Sequence, residues 1–87
     1  MARFVAHGRV QGVGYRWSCQ RAAKGIGVTG WVRNLPDGRV EAVAQGTKEQ
    51  VDQFIQWCYR GPAEARVSEI AVSTEETARD FQDFGIR

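Results

Sequence analysis

The chain opens on an apolar-rich run, Ala2 to Val10, with Phe4 and Val5 near its start, and this predicts a first strand. Gly8, Gly12 and Gly14 then punctuate the chain. From Arg16 the spacing changes. Cys19, Ala22, Ala23 and Ile26 recur at helical intervals and predict a helix over Arg16–Gly25, ended by Gly25 and Gly27. A strand over Val28–Asn34 follows, then the turn Leu35-Pro36-Asp37-Gly38, then a partner strand over Arg39–Gln45. Val51, Phe54, Ile55 and Cys58 form an i, i+3, i+4, i+7 stripe on a second helix, Lys48–Tyr59, with Thr47 as its N-cap. Gly61-Pro62 breaks the chain. Val67–Ser73 alternates as a strand, Thr74–Asp80 reads as a polar loop, and Phe81–Ile86 holds a short last strand.

The order is strand-helix-strand-strand-helix-strand with a terminal strand added. This predicts an α+β, ferredoxin-like βαββαβ sandwich: one antiparallel sheet with two helices on one face. Eighty-seven residues make one domain, 1–87. The fold hosts many functions and does not choose among them.

Composition narrows the choice. Apolar residues at 43% and charged residues at 25% are ordinary for a globular domain, which excludes a disordered tail. No apolar run reaches the roughly 20 residues of a membrane helix, so no membrane partner is expected. The N-terminus runs straight into a strand pattern and is not a secretory signal. Two cysteines exclude a disulfide scaffold, and with one histidine, His7, they leave no basis for a metal site or a serine triad.

The net charge of +2 hides an asymmetry. The first forty residues hold seven bases and one acid, whereas the remainder holds five bases and nine acids. Ten of the twelve bases are arginine, whose planar fork binds phosphate or carboxylate in two-point fashion. A basic first half is consistent with an anionic ligand, although a solvated, ion-paired surface accounts for most of these side chains.

The most informative segment is the loop Gln11-Gly12-Val13-Gly14-Tyr15-Arg16, between a strand and a helix start. Two glycines let backbone N–H groups turn inward, and the helix end adds partial positive charge. Together they suit an anion such as phosphate, with Arg16 at the edge to close over it. On residue types alone, a plain glycine-rich turn stays open as an alternative. The segment Gly25-Ile26-Gly27-Val28-Thr29-Gly30 matches a dinucleotide fingerprint by letter, but it follows a helix and enters a strand, the reverse of the required context.

The stretch Gly8-Arg9-Val10-Gln11-Gly12-Val13-Gly14-Tyr15-Arg16 resembles one signature of the acylphosphatase family. Gly30-Trp31-Val32-Arg33-Asn34, continuing through Asp37-Gly38-Arg39-Val40-Glu41 to Gly46, resembles the other. The resemblance covers essentially the whole chain, including Gly61-Pro62, Val67 and Phe84-Gly85-Ile86. Two positions depart from the family's usual pattern: Ala6 stands where a larger aliphatic residue is common, and Tyr15 where Phe is common. The Tyr15 hydroxyl then needs a partner.

The resemblance implies hydrolysis of the carboxyl–phosphate anhydride of small acyl phosphates, giving a carboxylate and inorganic phosphate, without metal or cofactor. It implies that the backbone of Gln11, Gly12, Val13, Gly14, Tyr15 and Arg16 holds the phosphoryl group. Arg16 is then the phosphate-binding arginine, and Asn34 positions the attacking water. The chemistry is consistent with these roles, since a good leaving group needs little acid catalysis and leaves charge stabilisation and water placement to the protein. His7 is expected to be a non-catalytic strand residue. Trp31 and Trp57 are expected to pack, and Trp17 is a candidate for the acyl side of the pocket.

A nucleic-acid-binding module on the same fold is disfavoured, because Arg39–Ala44 offers no aromatic residue for base stacking. A regulatory or carbamoyl-phosphate-handling unit of a larger system is a further alternative. A monomer is expected. Taking the two helices as parallel puts Cys19 and Cys58 at opposite ends, as two buried free thiols in a reducing, cytoplasmic location.

Overall fold

Alternation sorts the first strand onto two faces. Ala2, Phe4 and Ala6 are buried, whereas Arg3, between Ala2 and Phe4, is exposed. In the computed structural model, which describes residues 1–74 and 80–87, this strand is β1 (Ala2–Arg9). It is followed by α1 (Tyr15–Ile26), β2 (Thr29–Asn34), β3 (Val40–Gln45), α2 (Lys48–Arg60), β4 (Arg66–Thr74) and β5 (Phe84–Ile86). The expected elements are all present, with ends moved by a few residues. Of the expected polar loop, Thr74 instead ends β4, and residues 75–79 lie outside the described residues.

The strands are ordered β4-β1-β3-β2-β5. β1 pairs antiparallel with β3 and β4, and β2 pairs antiparallel with β3. The short fifth strand joins the far edge in parallel to β2, with Val32 opposite Ile86, so the complete sheet is mixed. A register shift at His7/Gly8 interrupts the β1–β4 pairing. A side chain on Gly8 would meet the Arg66 carbonyl at 2.0 Å, so this bulge accepts glycine alone.

The helices cover one face, where Phe4, Val32 and Val40 of the sheet meet Cys19 of α1 and Phe54 of α2. Phe54 joins the layers, its ring centroid 5.8 Å from that of Phe4 and 5.3 Å from that of Phe84. Thr47 caps α2 as expected: its side chain accepts from the Gln50 N–H, and the Gln50 side chain accepts from the Thr47 N–H. Gly27, in a left-handed conformation, ends α1, which accounts for the false dinucleotide pattern as a helix stop and turn.

The helices are antiparallel, which corrects the expectation of parallel ones. Tyr15 at the start of α1 bonds to Cys58 near the end of α2, and Gln50 at the start of α2 donates to the Ile26 carbonyl at the end of α1. The topology requires this. β1 and β3 run in opposite directions, and each helix reverses the strand before it. Cys19 and Cys58 are therefore neighbours, close enough for their thiols to interact, and both are buried and free. Burial pushes the Cys58 thiol pKa up, and its contact with Cys19 adds to the rise.

On the opposite face Glu41 is buried between two arginines. Arg3 Nε donates to Glu41 Oε2 at 2.7 Å, and Arg33 Nε donates to Oε1 at 2.6 Å. Trp31 lies beneath the guanidinium groups of Arg33 and Arg87, so it packs against cations outside the helix-covered core.

Candidate functional site

At one end of the helical layer, the loop between β1 and α1 meets the end of β2 around a pocket of about 180 Å³. Gly12 and Gly14 form one wall. Both have left-handed backbones, φ 75° and 76°, which glycine adopts at least cost. A side chain added at either would meet no protein atom within 4 Å, so the space beside them is open to a ligand.

Gly14 is the N-cap of α1. No side chain caps this helix end, and its first turn holds no acidic residue. The start of α2 has its capping box, whereas the start of α1 leaves its N–H groups and partial positive charge to the pocket. Tyr15 contributes to the wall while its ring is buried, with the hydroxyl donating to the Cys58 carbonyl at 2.7 Å. Burial pushes its pKa above the ordinary tyrosine value, so the hydroxyl acts as a donor.

Arg16 and Asn34 both line this pocket. Arg16 is half-buried and has no hydrogen-bond or carboxylate partner among the described residues. By contrast, Arg33 pairs with Glu41, and Arg39 with Asp37 at 2.6 Å. Asn34 Oδ1 is a buried side-chain acceptor without a partner, alone in this respect among the described residues. Such an acceptor costs about 1–3 kcal/mol unless something donates to it.

Of the residues expected at the site, Gly12, Gly14, Tyr15, Arg16 and Asn34 line the pocket, as does Trp17. Gln11 and Val13 do not. Val13 packs against the core. The Gln11 side chain turns away and donates to the carbonyls of Leu35 at 2.7 Å and Arg39 at 2.9 Å. It thereby braces the β2–β3 turn, directly after Asn34, against the glycine loop. His7 lies in β1 and is not part of the pocket.

Val10 and Ile86 complete the wall, and both were missed from the sequence. Ile86 arrives because β5 lies beside β2, an edge pairing that no residue pattern in so short a strand specifies. Among the described residues no cluster of three His, Cys, Asp or Glu side chains is placed to hold a metal, and no helix is long and apolar enough to cross a membrane. The arrangement offers an open helix N-terminus, one free guanidinium and one amide: the equipment to hold a small oxyanion and orient a neutral molecule beside it.

Comparison with known proteins agrees with this chemistry. The acylphosphatase family model matches residues 2–86. An acylphosphatase of Acaryochloris marina is 52% identical over 82 residues, 94% of this chain and 87% of its own. One of Thermococcus kodakarensis is 55% identical over 80 residues, covering 87% of this chain and 88% of its own. The crystal structure of acylphosphatase from Bacillus subtilis superposes with a TM-score of 0.95 at 34% identity, covering 99% of this chain and 96% of that one. The matched residues take in both walls of the pocket, and the chain belongs to the acylphosphatase family of hydrolases.

Proposed function

We propose that the whole chain, 1–87, acts as one domain that hydrolyses small acyl phosphates at this pocket, releasing a carboxylate and inorganic phosphate. One observation carries the assignment of the site: a partnerless guanidinium, an uncapped helix N-terminus and an amide with an unused acceptor converge on one pocket. The phosphoryl oxygens lie against the N–H groups of the loop from Gln11 to Arg16, and Arg16 closes over them. The loop and guanidinium stabilise the charge that spreads over these oxygens as the transition state forms.

Asn34 orients a water in line with the bond to the carboxylate. The water oxygen forms a new bond to phosphorus. The P–O bond to the acyl group breaks, its electron pair leaves on the carboxylate, and the water proton passes to solvent or a phosphate oxygen. A carboxylate is a good enough leaving group to depart without a general acid, and none of the residues named is one. Asn34 is a positioning group, worth what a fixed in-line geometry is worth.

Hydrolysis in ¹⁸O-labelled water tests this course. The label is expected in inorganic phosphate, and label in the carboxylate would show attack at carbon and overturn it. Titration with inorganic phosphate is expected to shift the amide resonances of Gly12, Gly14 and Arg16 first. Shifts confined to other regions would remove the loop from the site.

A further inference from the structure

We propose that Trp17 and Ile86 form the wall that receives the acyl group, and that they favour aromatic or branched apolar acyl groups over acetyl. This inference rests on the acylphosphatase reading of the pocket. Among the described residues, Trp17 at 57% exposure and Ile86 at 40% are two of four large hydrophobic side chains left exposed, and both border this pocket. Single exposed apolar residues are ordinary. Two that converge on one pocket from the first turn of α1 and from β5 form a surface.

That surface is held in place. Gln20, one turn beyond Trp17, donates to the Phe84 carbonyl at 3.0 Å and so ties α1 to β5. The Arg87 N–H donates to the Val32 carbonyl at 2.9 Å on the other side of Ile86, and the Phe84 ring is locked against Phe54. The Arg21 guanidinium lies 4.8 Å from the centre of the Trp17 ring and restrains the indole. A wall ordered before binding loses little freedom when it binds.

The pocket is divided by polarity in the way the substrate is. Arg16, Asn34 and the glycine loop offer polar groups, whereas Val10, Trp17 and Ile86 offer carbon. With the phosphoryl group on the polar side, the acyl group falls against carbon. A methyl group covers little of that surface, and an aryl ring covers far more.

The test compares benzoyl phosphate with acetyl phosphate in wild type, Trp17→Ala, Trp17→Phe and Ile86→Ala. The benzoyl-to-acetyl ratio of kcat/KM is expected to fall about fivefold to tenfold in Trp17→Ala, the scale of small apolar contacts in binding sites. The change is expected in KM for the aryl substrate more than in kcat, because the wall binds ground state and transition state alike. Trp17→Phe is expected to restore most of the ratio. Ile86→Ala, on an edge strand, carries the same test should Trp17→Ala fail to fold. An active wild type whose ratio is unchanged in the alanine variants overturns this inference alone. A folded wild type inert toward both probes overturns the hydrolysis reading, and this inference with it.

Discussion

The Tyr15 hydroxyl donates to the main-chain carbonyl of Cys58 at 2.7 Å, joining the residue after the loop's second glycine to the last turn of α2. Carbonyls in the last turn of a helix lack intrahelical partners, and this one is satisfied from the neighbouring helix. The bond is made in the core, with Tyr15 1% exposed and Cys58 fully buried. Tyr15→Phe leaves the ring in place and the carbonyl without a donor. The expected result is a loss of about 1–3 kcal/mol of stability, read as a lower denaturant midpoint at unchanged m-value. An unchanged midpoint would mean that the bond is not made in solution.

Gln11 links the two halves of the site through its side chain, which spans from the glycine loop to both ends of the 35–39 turn. Gln11→Ala removes both hydrogen bonds and frees the turn that follows Asn34. The expected effect is a fall in kcat, with little change in the inhibition constant of inorganic phosphate, since the phosphate cradle is main chain and Arg16 while the misplaced group is Asn34. A loss of phosphate binding at constant kcat would reverse that assignment.

Gly14 is set by conformation, because its φ of 76° lies where a Cβ is strained and the space beside it is empty. Gly14→Ala is expected to cost about 1–2 kcal/mol in stability. It is also expected to weaken competitive inhibition by phosphate, because the new methyl group enters the pocket. Stability loss with intact phosphate inhibition would place the anion elsewhere.

Acid stability is expected to depend on Glu41. Burial alone would raise its carboxyl pKa, but the hydrogen bonds from Arg3 and Arg33 outweigh burial and hold it below the usual carboxylate value of 4.5. A pKa lowered in the folded state gives stability that is complete above the unfolded value and is lost as pH falls through the folded one. Urea midpoints measured from pH 6 down to pH 3 are expected to decline most below about pH 4.5. Glu41→Gln is expected to flatten part of that decline while lowering stability at neutral pH by about 1–2 kcal/mol, a modest figure because both arginines are half exposed. Activity from about pH 5 to 8 is expected to vary little, since the proposed course uses no general acid or base. A bell-shaped profile would point to a titrating base outside the account.

The sequence carried the elements because the stripe of Val51, Phe54, Ile55 and Cys58 and the Pro36-Asp37-Gly38 turn are local signals with one structural outcome. It also carried the pocket's polar side, since Gly12, Gly14, Arg16 and Asn34 lie in two compact motifs. The antiparallel helices, and with them the nearness of Cys19 and Cys58, follow from the opposed directions of β1 and β3, so parallel helices are incompatible with the strand order itself. Ile86 and the bracing role of Gln11 were not legible. Each depends on contacts across the sheet, Ile86 through a three-residue strand and Gln11 through partners 24 and 28 positions away. Trp31 packs, but periodicity carries no signal that its partners are arginines.

The most direct test is the rate of hydrolysis of one acyl phosphate, with a chelator present, by wild type, Arg16→Ala and Asn34→Ala. The account predicts that wild type turns over and that both folded variants lose at least about a hundredfold in kcat/KM, the scale of a lost transition-state contact or fixed reactant. Arg16→Ala is further expected to lose inhibition by inorganic phosphate, and Asn34→Ala to retain it. Folded variants that keep wild-type rates would contradict the central claim that this pocket performs the hydrolysis.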